Sequence, residues 1–137
     1  MPKAKEKKPK LHKIAKIHDP VLGTHTWAMW GCTPQECSDA FDAEVGSSLA
    51  LFGDMDTDNI QGITGWISNK EGQEVAAIYV VEKDDFAVLT HECVHAAVEA
   101  LDQRGIDIRN DRGEILAYYV EFLFTSLRRE LGNGSIR

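Results

Sequence analysis

The stretch Thr90-His91-Glu92-Cys93-Val94-His95 lies in the middle of an apolar, helix-forming run from Phe86 to Leu101. Its pattern is His-Glu-x-x-His. On a helix, residues four positions apart share one face, so His91 and His95 can present their imidazoles to a single metal ion. Glu92 lies about 100° around the helix from His91, at the rim of that face, where its carboxylate can hold a metal-bound water. Neutral imidazole suits zinc, and a catalytic zinc site needs one further protein ligand and an open position.

The third ligand has to come from another part of the chain. Glu99 follows His91 by eight residues, which is about 12 Å along a helix axis, too far for both to bind one ion through bonds near 2 Å. Glu99 and Asp102 are therefore expected to be outer carboxylates that orient other groups. A last helix is predicted over about residues 113–131, and the loop before it is long enough to bring it back beside the first helix. We expect Glu114, in its first turn, to complete the site.

The rest of the chain predicts an α+β fold. Residues 24–30 are rich in residue types that favour strands, and apolar residues occur at both the odd and the even positions. This pattern indicates an interior strand. Residues 61–68 and 74–82 predict two further strands joined by a hairpin turn. Thr33-Pro34-Gln35-Glu36 is a capping box that begins a supporting helix, and Gly46 ends it. The expected architecture is a small antiparallel or mixed sheet of about three strands, with one backing helix and two packed helices that carry the site.

Charge is unevenly distributed along the 137 residues, whose net charge is −7. Residues 1–16 contain seven lysines and one glutamate, about +6, which leaves −13 on the remainder. We expect residues 1–16 to be a disordered, solvated arm, residues 17–132 to be one metal-binding domain, and residues 133–137 to be a tail. Because the domain is acidic, contact with nucleic acid is expected only through the lysine-rich arm.

The sequence also predicts a location in the cytoplasm. No apolar run approaches the ~20 residues of a membrane span, and no apolar segment follows the N-terminal lysines as in a secretory signal. The three cysteines are an odd number without a regular spacing, which favours a reducing compartment. Cys93 falls on the side of its helix opposite to the histidines, and we expect it to be a small apolar core residue.

A His-Glu-x-x-His helix followed about twenty residues later by a helical glutamate resembles the gluzincin branch of the zincin metallopeptidases. The resemblance covers about residues 74–131. It implies a minimal zincin-like fold, Zn²⁺ bound by His91, His95 and Glu114, and Glu92 as the general base that activates the zinc-bound water. It also implies a peptide or protein substrate, bound in extended form on a strand near the motif helix. The small size and the E-x-x-A-Y pattern are similar to those of bacteriophage-encoded His-Glu-x-x-His proteins.

The chain departs from the gluzincin pattern at one position. Gluzincins often have an aspartate four residues after the third ligand, where it orients a histidine, and Tyr118 stands there. Glu99 or Asp102 is then expected to make that contact. The donor that stabilises the transition state is left open among four residues: Tyr118, Tyr119, Tyr79 and His25.

The expected function is zinc-dependent hydrolysis of peptide bonds, either general or restricted to one protein partner. The alternative is a non-catalytic metal-binding or partner-binding protein in which the His/Glu cluster is structural.

Overall fold

The computed structural model describes residues 13–46, 59–82 and 84–135, and most of the predicted lysine-rich arm lies outside these ranges. Within them the chain is α+β, with a four-stranded mixed sheet and three helices. The elements are β1 (Ala15–Asp19), β2 (Thr24–Trp30), α1 (Pro34–Val45), β3 (Gly62–Ser68), β4 (Glu74–Val80), α2 (Phe86–Gln103) and α3 (Glu114–Ser135). A short 3₁₀ turn, Asn110–Gly113, leads into α3.

The strands are arranged in the order β1-β2-β4-β3. β1 is antiparallel to β2, and β3 is antiparallel to β4, as the hairpin prediction requires. The two central strands, β2 and β4, are parallel, with Trp27 opposite Ala77. A parallel pair needs a crossover connection, and here the crossover includes α1 and the edge strand β3. The α+β class is therefore confirmed, with four strands in place of about three.

The additional strand is β1. It includes Ala15 and Lys16, which the sequence assigns to the end of the disordered arm. Ala15 is buried in the core, and Lys16 lies with its ammonium nitrogen 4.7 Å from the centroid of the Trp27 ring while it forms an ion pair with Glu44. The lysine thus covers apolar surface with its stem and keeps its charge paired, which allows a charged segment to join a sheet.

The two faces of the sheet support separate parts of the core. One face of the sheet packs with residues of α2 and α3 through Ala28, Ala76, Ile78 and Val80. The opposite face packs with Cys37 and Phe41 of α1 through Trp27, Met29, Val75 and Tyr79. β4 is buried along Val75–Val80, because α2 and α3 cover it on one face of the sheet and α1 covers it on the other. The sheet is therefore a rigid layer against which α2 is held.

Local sequence signals place both ends of α1 and the start of α2 as predicted. At α1, Thr33 and Glu36 form the reciprocal capping box, and Gly46 adopts φ = 74° at the C-terminal end. At α2, the carboxylate of Asp85 accepts a hydrogen bond from the Val88 amide. α3 instead continues to Ser135, past the expected domain boundary at residue 132. None of the described helices is both long enough and apolar enough to cross a membrane.

The pairing of α2 with α3 determines what surrounds the motif. The ring of Phe86, at the start of α2, contacts that of Phe124 edge-on at 6.3 Å, and the Arg128 guanidinium lies over both rings. The start of α2 meets the middle of α3, and a short connection joins the end of α2 to the start of α3, so the two helices run antiparallel. The hydroxyls of Tyr119 and Thr24 form a hydrogen bond that fixes α3 to β2.

Candidate metal centre

His91, Glu92 and His95 form a compact cluster on α2. Each contributes one ligand atom, and these three atoms all lie within 4.8 Å of one another. The two histidines are exposed, whereas Glu92 is only 5% exposed. The imidazole rings meet at an interplanar angle of 73°, with their Nε2 atoms 3.2 Å apart.

The separation of the two Nε2 atoms agrees with the geometry of a shared metal ion. Zinc binds imidazole nitrogen at about 2.0–2.1 Å, so two such ligands at a tetrahedral angle lie about 3.3–3.4 Å apart. The distance between His91 and His95 is 3.2 Å without any movement of the helix. When one imidazole donates, the same distance also suits an N–H···N hydrogen bond, and metal binding would then displace that proton. The donor set and its spacing therefore fit Zn²⁺.

Glu92 lies beneath the edge strand β3. The hydroxyl of Thr64 is 3.2 Å from Glu92 Oε2 and also 3.2 Å from the Glu92 backbone oxygen. At the start of the same strand, Gly62 lies so close to α2 that a Cβ atom there would be 2.7 Å from Val88 Cγ1 and 3.1 Å from Glu92 Cγ. The glutamate is thus enclosed by the strand on one side and faces the histidine pair on the other.

The structure does not include Glu114 in this cluster. It is the first residue of α3, it is exposed, and its carboxylate is not among the ligand atoms that lie within 4.8 Å of one another. Three successive residues before it have left-handed backbones, with φ of 53° at Asp111, 57° at Arg112 and 82° at Gly113. Non-glycine residues seldom adopt this conformation, which costs about 1–3 kcal/mol. This turn therefore fixes the direction in which α3 and Glu114 leave the loop.

Helix geometry gives the height of Glu114 along the helix pair, and none of the described contacts joins its carboxylate to the histidines. Phe86 contacts Phe124 and the helices are antiparallel, so each step forward along α2 corresponds to a step back along α3. By this count His91 is level with about residue 119, and His95 is level with about residue 115. Around α3, Glu114 lies about 40° from Arg128, which contacts α2, and about 180° from Leu123 in the buried stripe of the helix. Glu121 lies on the same side, within about 20° of Arg128. It is a second exposed carboxylate on this side of α3.

The predicted outer carboxylates lie on α2 but outside the cluster. Glu99 is half-buried and its Oε1 is 3.4 Å from the side-chain nitrogen of Gln103, while Asp102 is exposed. Neither residue has its carboxylate among the three grouped ligand atoms. A contact of either carboxylate with a histidine therefore stays a prediction.

Two of the tyrosines are held in the core. The Tyr79 hydroxyl donates to the Cys32 carbonyl oxygen at 2.5 Å, and Tyr119 bonds with Thr24. Burial raises the pKa of both phenols. Tyr118, by contrast, is 67% exposed. Of the three tyrosines in the sequence, Tyr118 is therefore the one whose hydroxyl is accessible to a substrate.

His25 lies on β2 and stacks on His18 of β1, with ring centroids 4.6 Å apart. Among the side chains that the structure describes, His25 Nε2 is the buried polar atom without a hydrogen-bond partner. Burial, followed by the neighbouring His18, lowers the pKa of His25. Because its side chain lies on the α1 face of the sheet with Trp27, and α2 lies on the other face, the structure gives His25 no contact with the candidate centre.

Cys93 has the expected core position, and the other two cysteines are buried as well. All three are free and buried, and Cys93 is completely buried on the side of α2 that faces the sheet. Burial, with a smaller effect of the Glu92 charge, raises the pKa of Cys93 to about 12. Cys93 is therefore a neutral packing residue, as predicted.

Comparison with family models, with curated proteins and with solved structures finds no match.

Proposed function

We propose that this protein is a zinc-dependent metallopeptidase of the zincin type. In this proposal His91, His95 and Glu114 bind zinc, and Glu92 is the general base. The proposal is carried by one observation: a buried carboxylate lies within 4.8 Å of two exposed imidazole nitrogens whose own separation fits a shared ion. A structural zinc site would be expected to surround the ion with four protein ligands, whereas this cluster is open to solvent on the histidine side.

The chemistry follows from the position of Glu92. Zinc bound at the histidine pair would supply a Lewis acid that polarises a carbonyl and makes water a stronger nucleophile. The Glu92 carboxylate then accepts a proton from the attacking water and donates it to the leaving amine. Because the β3 strand covers the carboxylate, its charge is not dispersed by bulk water, which strengthens its interaction with the reacting groups.

A peptide is the substrate class that the surroundings favour. Among the described strands β3 lies at one edge of the sheet, beside Glu92, and an extended peptide can form backbone hydrogen bonds with such an edge. A cavity of about 240 Å³ is lined by Trp66, Ala100 and Arg104. Trp66 follows Thr64 by two residues, about 7 Å along the strand, so the cavity can receive the side chain of a residue near the scissile bond.

We further propose that the substrate is a protein, either any unfolded chain or one specific partner, and that the enzyme works in the cytoplasm, where free cysteines persist.

The direct test is hydrolysis by zinc-loaded protein with Glu92→Gln as the variant. An unfolded protein such as casein serves as substrate, and fragments are identified by mass spectrometry. We expect Glu92→Gln to reduce the rate by roughly 10²–10⁴-fold, which is the usual contribution of a general base, while zinc content is unchanged. Glu71→Gln, a matched change in the exposed turn between β3 and β4, is expected to retain activity.

Two results would contradict the proposal. Hydrolysis that continues at the wild-type rate in Glu92→Gln would show that this carboxylate is not the base. If Glu92→Gln changes nothing and His91→Ala only lowers thermal stability, the cluster is structural and the protein is a binding protein.

A further inference from the structure

Thr64 is the described hydrogen-bond partner of the Glu92 carboxylate. Its Oγ1 lies 3.2 Å from Oε2 and 3.2 Å from the backbone oxygen of Glu92. A threonine hydroxyl has a single hydrogen, so it can donate to only one of these two acceptors at a time. An ionised carboxylate is the stronger acceptor, which directs this hydrogen to Oε2 while Glu92 is charged.

The approach of β3 to α2 makes this hydrogen bond possible. Thr64 pairs with Ile78 of β4 and Gly62 pairs with Val80, so both side-chain positions are on the face of the sheet that packs against α2. A side chain larger than hydrogen at position 62 would meet Val88 and Glu92 at 2.7 Å and 3.1 Å. The glycine therefore allows the strand to come close enough for the hydroxyl two residues later to reach the glutamate.

We propose that Thr64 is the positioning residue for Glu92. The inference rests on the proposed function, because it assigns Glu92 the role of general base. By donating to Oε2, Thr64 fixes the carboxylate rotamer and leaves Oε1 as the acceptor for the proton of the attacking water. When Glu92 has taken that proton it is a weaker acceptor, and the hydroxyl can turn to the backbone oxygen. The proton of Thr64 stays on Thr64 throughout.

The substitution Thr64→Val tests this role with little change in shape, because valine keeps the β-branched side chain that suits a strand. Thr64→Ser keeps the hydroxyl and loses the methyl group. Thr90→Val is the matched control: Thr90 directly precedes the motif, but its hydroxyl donates to the Phe86 backbone oxygen at 2.8 Å and not to Glu92. Thr64→Ala is a second hydroxyl-free variant should valine prevent folding.

We expect Thr64→Val to lower kcat roughly 10- to 100-fold, as for a misplacement of about 1 Å, with KM changed less than about twofold. Thr64→Ser and Thr90→Val should stay within about threefold of wild type. In a crystal structure of zinc-loaded Thr64→Val, the Glu92 carboxylate should be displaced or disordered while His91 and His95 superpose on the wild type. Zinc content should be the same in all variants.

The inference is overturned if folded Thr64→Val retains kcat within about twofold and its Glu92 carboxylate superposes on the wild type. It is also overturned if Thr64→Ser loses as much activity as Thr64→Val. The crystal structures separate this inference from the proposed function. If wild-type protein hydrolyses no peptide, the proposed function fails, and the position of Glu92 in Thr64→Val still decides whether Thr64 positions it.

Discussion

The substitution Gly62→Ala tests the close packing of β3 on α2. A Cβ atom at this position would lie 2.7 Å from Val88 Cγ1 and 3.1 Å from both Glu92 Cγ and the Tyr79 carbonyl oxygen. The carbonyl belongs to the backbone of the neighbouring strand and cannot move without disturbing the ladder, so the strand or the helix has to shift. Such overpacking costs about 1–3 kcal/mol. For a chain of this size, a loss of about 1 kcal/mol in the free energy of unfolding lowers the melting temperature by about 3 °C. We therefore expect Gly62→Ala to lower the melting temperature by about 3–9 °C.

Thermal unfolding followed by circular dichroism measures this change, and two further variants control it. Gly132→Ala introduces the same methyl group in α3, where a Cβ would meet no atom within 4 Å beyond its neighbours and its own helix backbone. It should be neutral or stabilise the protein by up to about 1 kcal/mol, because alanine is the better helix former. Val88→Ala removes the nearest clashing atom, and the double variant with Gly62→Ala should lose less stability than the two single variants together.

A melting temperature of Gly62→Ala within about 1 °C of wild type would refute the reasoning. It would mean that β3 does not lie against α2 as described, and that neither Glu92 nor its contact with Thr64 is enclosed.

Three further predictions concern the core. Because folding lowers the pKa of His25, the unfolded chain takes up a proton first as pH falls below about 6.5. The free energy of unfolding should therefore decrease with falling pH in this range, with a shallower slope in His25→Gln when urea unfolding is followed at several pH values. Tyr119→Phe should cost about 1–3 kcal/mol in the same assay because it leaves the Thr24 hydroxyl without its partner, whereas Tyr118→Phe should change stability by less than about 0.5 kcal/mol. Ellman's reagent should label the three buried cysteines slowly in the native protein and rapidly after unfolding; rapid labelling of the native protein would contradict their burial.

The parts of the fold that could be predicted depend on local signals. The capping box at Thr33 and Glu36 and the glycine at position 46 place α1 correctly. The apolar run from Phe86 to Leu101 predicts α2, which spans Phe86–Gln103 in the structure. These signals act within a few residues of the chain, so they can be recognised in the sequence without knowledge of the tertiary structure.

Strand β1 and the sheet order could not be predicted in the same way. β1 contains Lys16 and His18, whose side chains suit a strand only because Trp27 and His25 lie opposite them on β2. The parallel pairing of β2 with β4 joins segments about fifty residues apart and depends on a crossover that no local pattern specifies. Both features follow from contacts that are distant in sequence.

The candidate site was partly predictable. The motif brings His91, Glu92 and His95 together because helix geometry alone places them, and the structure shows their ligand atoms in one cluster. The contact of Thr64 with Glu92 could not be predicted, since it depends on how a strand residue 28 positions earlier in the chain packs on the helix. The left-handed backbone conformation of Asp111 and Arg112 could not be predicted either, because neither residue type requires that conformation.

The central claim is tested most directly by the zinc content of purified, dialysed protein measured by mass spectrometry of the metal. We expect about one zinc per chain in the wild type and in Glu121→Ala, with most of it lost in His95→Ala and in Glu114→Ala. Loss in Glu121→Ala together with retention in Glu114→Ala would show that the third ligand is the other carboxylate of α3. Equal zinc in all four proteins, or none in the wild type supplied with zinc, would contradict the account.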